Sequence, residues 1–338
     1  SLFDPWIKGD KYRTAFRTNV FLSRDYPQEF TSKNGKLYAV NDQTSSSSDT
    51  LSSIVLENVG GGFTFLRPLN GGDPFKETPW KVSLGMNFKR VRLIDSDGNQ
   101  KPYATKKPTT ANISEIICIG YSAKNGTCPS ENTLISIVAG GVRNKLNNNV
   151  NPSSGSLLRF GSEQFLPLGE NSPTFNRLRA SYSWFTPVRL MNFTKECKSN
   201  NSENNECFQT VGFQVKTGTI LGELPPYESF CMGGASSVRG WGACQLSVSR
   251  SFAELTAEYR VPIWRMISGS LFADAGSDLG SQDNVPGKPG KLLNKSGSGF
   301  SLGGGIGIKT PIGPLRLDIA SQDLSGNTRY TLGVGWKF

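Results

Sequence analysis

The chain closes on TRYTLGVGWKF, a run in which every second side chain is apolar. Tyr330, Leu332, Val334, Trp336 and Phe338 share one face of an extended strand, while Arg329, Thr331, Gly333, Gly335 and Lys337 share the other. A half-buried strand of a soluble protein also alternates. Here, however, the second face carries charge and glycine instead of ordinary surface residues. FAELTAEYRV repeats the pattern, with Ala253, Leu255, Ala257, Tyr259 and Val261 opposite Glu254, Thr256, Glu258 and Arg260. In PLRLDIAS, Leu315, Leu317 and Ile319 oppose Arg316 and Asp318.

Similar strands are expected near 12–24, 54–67, 80–94, 132–144, 155–166, 174–185, 207–221, 267–279 and 298–310. Helical periodicity is almost absent. About twelve strands of this length suit a transmembrane β-barrel, whose strands need about 9–11 residues, apolar toward lipid and polar toward the lumen. Closure also leaves no unpaired backbone edge in the hydrocarbon. The long connections, at 25–53, 95–131, 222–249 and 280–297, fall on alternate turns and therefore share one side; 186–206 breaks the rule. A soluble sandwich or propeller is the alternative, and no blade-length repeat supports the latter. The Ser run at 44–50 and the Asn-rich 147–152 read as loops and turns, so residues 1–338 form one domain.

Composition narrows function by exclusion. The chain carries a net charge of +10 and no histidine. Its cations are scattered, without the basic patch interleaved with aromatics that marks a nucleic-acid site, and a charged pore lining or solvated surface accounts for them. Without histidine a Ser–His nucleophile is impossible, and GGGIGIK at 303–309 lacks the acidic residue and βαβ context of a dinucleotide site. No enzyme, cofactor or metal is expected. The six cysteines fall in three short-range pairs, Cys118 with Cys128, Cys197 with Cys207 and Cys231 with Cys244, read as local disulfides in an oxidising compartment.

The segment GGASSVRGWG (233–242) is a loop by composition, yet its tip carries Val238, Arg239 and Trp241. Inside a barrel an isolated guanidinium costs several kcal/mol unless paired. Glu258 lies on the inward face of the following strand, and Asp274 on that of the next if Leu271, Ala273 and Ala275 face lipid. Loop 222–249 is therefore expected to fold inward and dock Arg239 on both carboxylates. An exposed loop with a hydrated Arg239 is the alternative.

SSVRGW, AEYRVPI, LFADAGSDLG, SGFSLGGGIGIKTPIGPLRLDIA and the aromatic terminus, in that order, resemble the BamA-type outer-membrane insertase superfamily, most nearly its cyanobacterial and chloroplast outer-envelope members. The resemblance implies an all-β, transmembrane antiparallel barrel, with this chain supplying the C-terminal 12–13 strands of a sixteen-stranded family barrel. It implies a lumen loop whose Arg239 pairs with Glu258 and Asp274, with Gly240 turning the chain behind it and Trp241 packing on the wall. Family barrels insert or export polypeptides without ATP through a seam between first and last strands. Here Gly333 and Gly335 would weaken that seam, or simply relieve crowding. The aromatic ending resembles the signal by which outer-membrane barrels are recognised.

Lipid, unfolded outer-membrane clients and accessory assembly subunits are the implied partners, and a bacterial outer membrane or chloroplast outer envelope is the implied location. The start SLFDPWIKGDKYRT resembles the end of the fourth family strand and the beginning of the fifth. The first three strands and the preceding POTRA repeats have no counterpart, so the chain is expected to be part of a longer protein. A naturally shortened member is the other possibility, and a passive pore for small, anionic solutes is the runner-up function.

Overall fold

The computed structural model describes residues 1–30, 55–73, 76, 78–94, 98, 131–169, 171–190, 209–264, 266–310 and 313–337. Its strands are β1 (Leu2–Asp4), β2 (Ala15–Asp25), β3 (Val55–Pro68), β4 (Trp80–Ile94), β5 (Glu131–Asn144), β6 (Gly155–Leu166), β7 (Phe175–Val188) and β8 (Gln209–Gly222). Two short strands follow, β9 (Phe230–Met232) and β10 (Ser247–Ser249). The chain then runs through β11 (Ser251–Trp264), β12 (Ile267–Ser277), β13 (Ser298–Ile308), β14 (Leu315–Gln322) and β15 (Thr328–Val334). Thirteen of these form one sheet, in the order β1 to β8 and then β11 to β15, each antiparallel to its neighbours. β9 and β10 pair with each other, inside the connection from β8 to β11.

Exposure follows the pleat, in the sense opposite to that of a water-soluble protein. On β12, Leu271 is 64% exposed while Asp274 is 2% exposed. On β14, Leu315, Leu317 and Ile319 are exposed while Arg316, Asp318 and Ala320 are buried. Val20, Leu22, Leu84, Phe88, Phe160, Trp184 and Leu255 continue the outer apolar band. Hydrocarbon solvates that band, and the meander satisfies backbone groups between neighbouring strands. Among the described residues no helix is long and apolar enough to cross a membrane, which says nothing of strands.

Two features depart from simple alternation. Inward positions toward one end of the sheet are apolar: Leu56, Val91, Leu134, Phe165, Phe175 and Ile220 join Phe30, Leu224, Tyr227, Phe230 and Val285 in a buried cluster. The polar-inside rule fails there because residues of the β8–β11 connection cover those side chains. The second departure corrects the expected last strand. β15 ends at Val334, and Gly335 takes φ +83°, a left-handed conformation open to glycine. Tyr330, Leu332 and Val334 stay on the outer face, but Trp336 does not continue it: its ring lies 4.3 Å from the Arg260 guanidinium, on the inner side. Phe338 lies outside the described residues.

Placing a cation in the outer band is the direct check on this orientation. Leu271→Arg is expected to cost about 2–4 kcal/mol of unfolding free energy in phospholipid vesicles if it sits near the midplane. Denaturant titration in vesicles reads this loss, and an unchanged midpoint would mean that the outer face does not meet lipid.

Candidate functional site

The connection from β8 to β11 carries the most extensive polar network that meets the inner face among the described residues. Its neck is closed by Arg250, whose Nη1 donates to the carbonyls of Ile220 (3.2 Å) and Gly222 (2.8 Å). Beyond the neck, β9 and β10 form a ribbon in which Met232 faces Ser247 and Phe230 faces Ser249. A Cys231–Cys244 disulfide, with Cα atoms 4.7 Å apart, staples it. The other four cysteines, Cys118, Cys128, Cys197 and Cys207, lie outside the described residues.

At the tip, Arg239 is fully buried. Its Nε donates to Asp274 Oδ2 at 2.7 Å, its Nη2 to Asp274 Oδ1 at 3.1 Å and its Nη1 to Glu258 Oε2 at 2.8 Å. The backbone N–H of Arg239 also reaches Asp274 Oδ2, at 3.1 Å. Asp274 therefore receives a forked, bidentate guanidinium, the strongest planar arrangement for this pair. The Phe272 ring lies beneath the guanidinium, 3.3 Å from centroid to Cζ.

Four groups not singled out from the sequence, Asp318, Arg316, Lys337 and Arg260, complete the network. Asp318 of β14 stands 3.6 Å from Arg239 Nη1 and 2.7 Å from Arg316 Nε. Lys337 turns in behind Gly335 and places Nζ 2.9 Å from Asp274 Oδ1. Arg260 donates from Nε to Glu258 Oε1 at 2.8 Å. Four cations thus share three carboxylates. Strand parity put Asp318 and Lys337 inward; for Asp318 the strand itself sets that orientation, whereas Lys337 lies beyond β15 and points inward because the chain turns at Gly335. What parity lacks is which inward residues share a level.

The wall of the seat is shaped by missing side chains. A Cβ on Gly299 would stand 2.6 Å from Trp241 Cζ2, so glycine is required for the indole to lie on β13. Trp241 Nε1 donates to the Phe300 carbonyl at 3.2 Å, and Val238, Met232 and Leu246 pack around the ring. Gly240 has φ +87°, a conformation that disfavours a side chain, and a Cβ there would stand only 3.2 Å from Ala320 and 3.3 Å from Ser301. The glycine run 303–305, unexplained as a nucleotide motif, belongs to this same strand.

A second anchor was not anticipated. Glu228, in a 3-10 turn at Pro226–Glu228, receives Lys89 Nζ from β4 and Arg177 Nη2 from β7. Nearby, Lys295 is buried and donates to the Cys244 carbonyl (2.7 Å) and the Glu29 carbonyl (3.0 Å), tying three connections together. Glu29, Cys231 and Cys244 are close enough to suggest a metal site, but both sulfurs are committed to the disulfide.

A family model for the Omp85 superfamily domain matches residues 1–338. The chain belongs to the Omp85 superfamily. Outer envelope protein 80, chloroplastic, of Arabidopsis thaliana is 27% identical over 337 residues, covering 98% of this chain and 37% of that protein. Protein TOC75-4, chloroplastic, of the same plant is 29% identical over 332 residues, covering 98% of this chain and 75% of that protein. The crystal structure of BamA from Haemophilus ducreyi lacking POTRA domains 1–3 superposes with a TM-score of 0.60 over 98% of this chain and 59% of that one, at 14% identity, which shows a shared fold. This Omp85 barrel spans about two fifths of outer envelope protein 80 from Arabidopsis and from rice (37% and 42%). Its family comprises protein insertion and translocation factors, generally non-catalytic, and its place is an outer membrane.

Arg239→Ala leaves Glu258 and Asp274 short of their shared cation, and removing one partner of a buried pair costs about 3–5 kcal/mol. Faster proteolysis of segment 233–242 in the folded barrel is the expected reading; wild-type protection would mean that the tip is held by its apolar contacts alone. A pH effect is expected at residues 26–30. Burial, aided by the negative charge of Glu228, raises the Glu29 carboxyl from 4.5 to about 7. The docked segment holds a proton there that the undocked one releases, so docking weakens as pH rises through that window. Hydrogen exchange of the Phe30 amide, which donates to the Pro27 carbonyl at 3.2 Å, should report a lower opening free energy at pH 7.5 than at pH 4.5. Glu29→Gln should flatten the profile, and a flat wild-type profile would refute the assignment.

Proposed function

We propose that this Omp85 barrel inserts or translocates polypeptides at an outer membrane, with no chemical step. The observation that carries the reading is the Arg239 clamp. A loop that sends a fully buried guanidinium onto carboxylates of β11 and β12 is built to be held against the inner wall. In this reading the segment 222–249 occupies the lumen, and unfolded outer-membrane proteins are the clients. An exposed strand edge then templates pairing with an incoming strand. Accessory subunits and the remainder of the longer relatives would deliver those clients. An inner face occupied by a docked connection disfavours the alternative, a passive pore for small anions.

The decisive experiment uses the full-length protein reconstituted in vesicles. Arg239→Glu adds a fourth carboxylate to three and is expected to slow client insertion at least ~10-fold, the equivalent of ~1.4 kcal/mol. Glu258→Arg in that background is expected to restore part of the rate. Folded Arg239→Glu protein with a wild-type rate would overturn the clamp's role. Deleting 222–249 should raise ion conductance; high conductance that the deletion leaves unchanged would favour the pore.

A further inference from the structure

We infer that Glu228 is a positioning residue that pins the lumen segment to a second arc of the sheet, making that segment a crossbar between two arcs. Counted along the thirteen strands, the Arg239 tip engages the ninth, tenth and twelfth (β11, β12 and β14). Glu228 engages the fourth and seventh, β4 through Lys89 and β7 through Arg177. Arg177 also donates from Nη2 to the Glu228 carbonyl at 2.9 Å, so it grips main chain and side chain together. It is oriented by Glu163 of β6, 3.4 Å from its Nη1, and lies against the rings of Phe165 and Phe175, which stack 3.9 Å apart.

The side chains of Glu228 and Arg177 are 7% and 9% exposed, which sets this pair apart from a solvated surface bridge. Leu224, Tyr227 and Phe230, on either side of Glu228, sink into the apolar cluster lined by β3 to β8. Between the two anchors the chain is stiff. The β9–β10 ribbon and the Cys231–Cys244 disulfide join them, so displacement at one end reaches the other. Separation of the two arcs must therefore break either the Glu228 pairs or the Arg239 clamp. Glu228 holds the smaller ionic network, one carboxylate between two cations.

The inference rests on the lumen reading of the loop, and the test separates the two. In planar bilayers, the full-length protein with Glu228→Gln is expected to show an open-state probability raised about tenfold, the effect of ~1.4 kcal/mol of lost anchoring. Glu228→Lys is expected to raise it further, and Lys89→Glu in the Glu228→Lys background to bring it back toward wild type. Glu228→Asp, which keeps the charge, should restore most of the closed state. Heat-modifiable migration on gels selects folded protein, and Arg177→Gln provides a second route to the same release. Wild-type gating in folded Glu228→Gln and Arg177→Gln, or a charge swap no better than Glu228→Lys alone, would overturn the crossbar. Deletion of 222–249 without any change in conductance would instead overturn the lumen reading itself.

Discussion

Everything on the inner face is organised by one difficulty, a guanidinium with no water to solvate it. Arg239 is completely enclosed, and an enclosed charge is tolerated only when partners replace its hydration. Glu258 and Asp274 do so with directed hydrogen bonds, and the Phe272 ring supplies the face. Those carboxylates need further cations, since one Arg does not saturate them, and Arg260 and Lys337 meet that need. The chain behind Val334 is accordingly drawn inward, and the turn at Gly335 is the local consequence.

The same requirement explains the glycines of β13. A ribbon tip bearing an indole and a guanidinium fits against a strand only if that strand presents backbone. Gly299 yields its side-chain volume to Trp241, and Gly303 yields its own to Phe272. A strand with so little to pack is weak by itself. It is held by eleven paired positions with β12 and eight with β14, and by the loop it receives. Gly299 and Gly303 thus serve the seat, and no phosphate-binding role is needed to account for them.

Much of the fold was legible because a strand's side-chain period is two. Once Leu315, Leu317 and Ile319 are assigned to lipid, Arg316 and Asp318 must point inward; the same logic placed Glu258 and Asp274. Parity failed where a tertiary contact changed the solvent. Leu56, Val91 and Leu134 are inward and apolar because Leu224, Tyr227 and Phe230 lie on them, and nothing within their own strands announces that cover. It failed again at Trp336, since an alternating pattern continues through Gly335 on paper while the backbone turns there.

The sequence by itself determined the long strands, the face most residues take within them and the carboxylates within reach of Arg239, because these follow from local periodicity and the cost of an unpaired charge. Only the tertiary structure decided which inward residues meet at one level. Strand register and the path of the β8–β11 connection place Asp318 and Lys337 beside Asp274 and Arg239, and carry Glu228 across to Lys89 and Arg177. Such pairings join residues as far apart as 139 positions along the chain, and no local pattern encodes a distance of that kind.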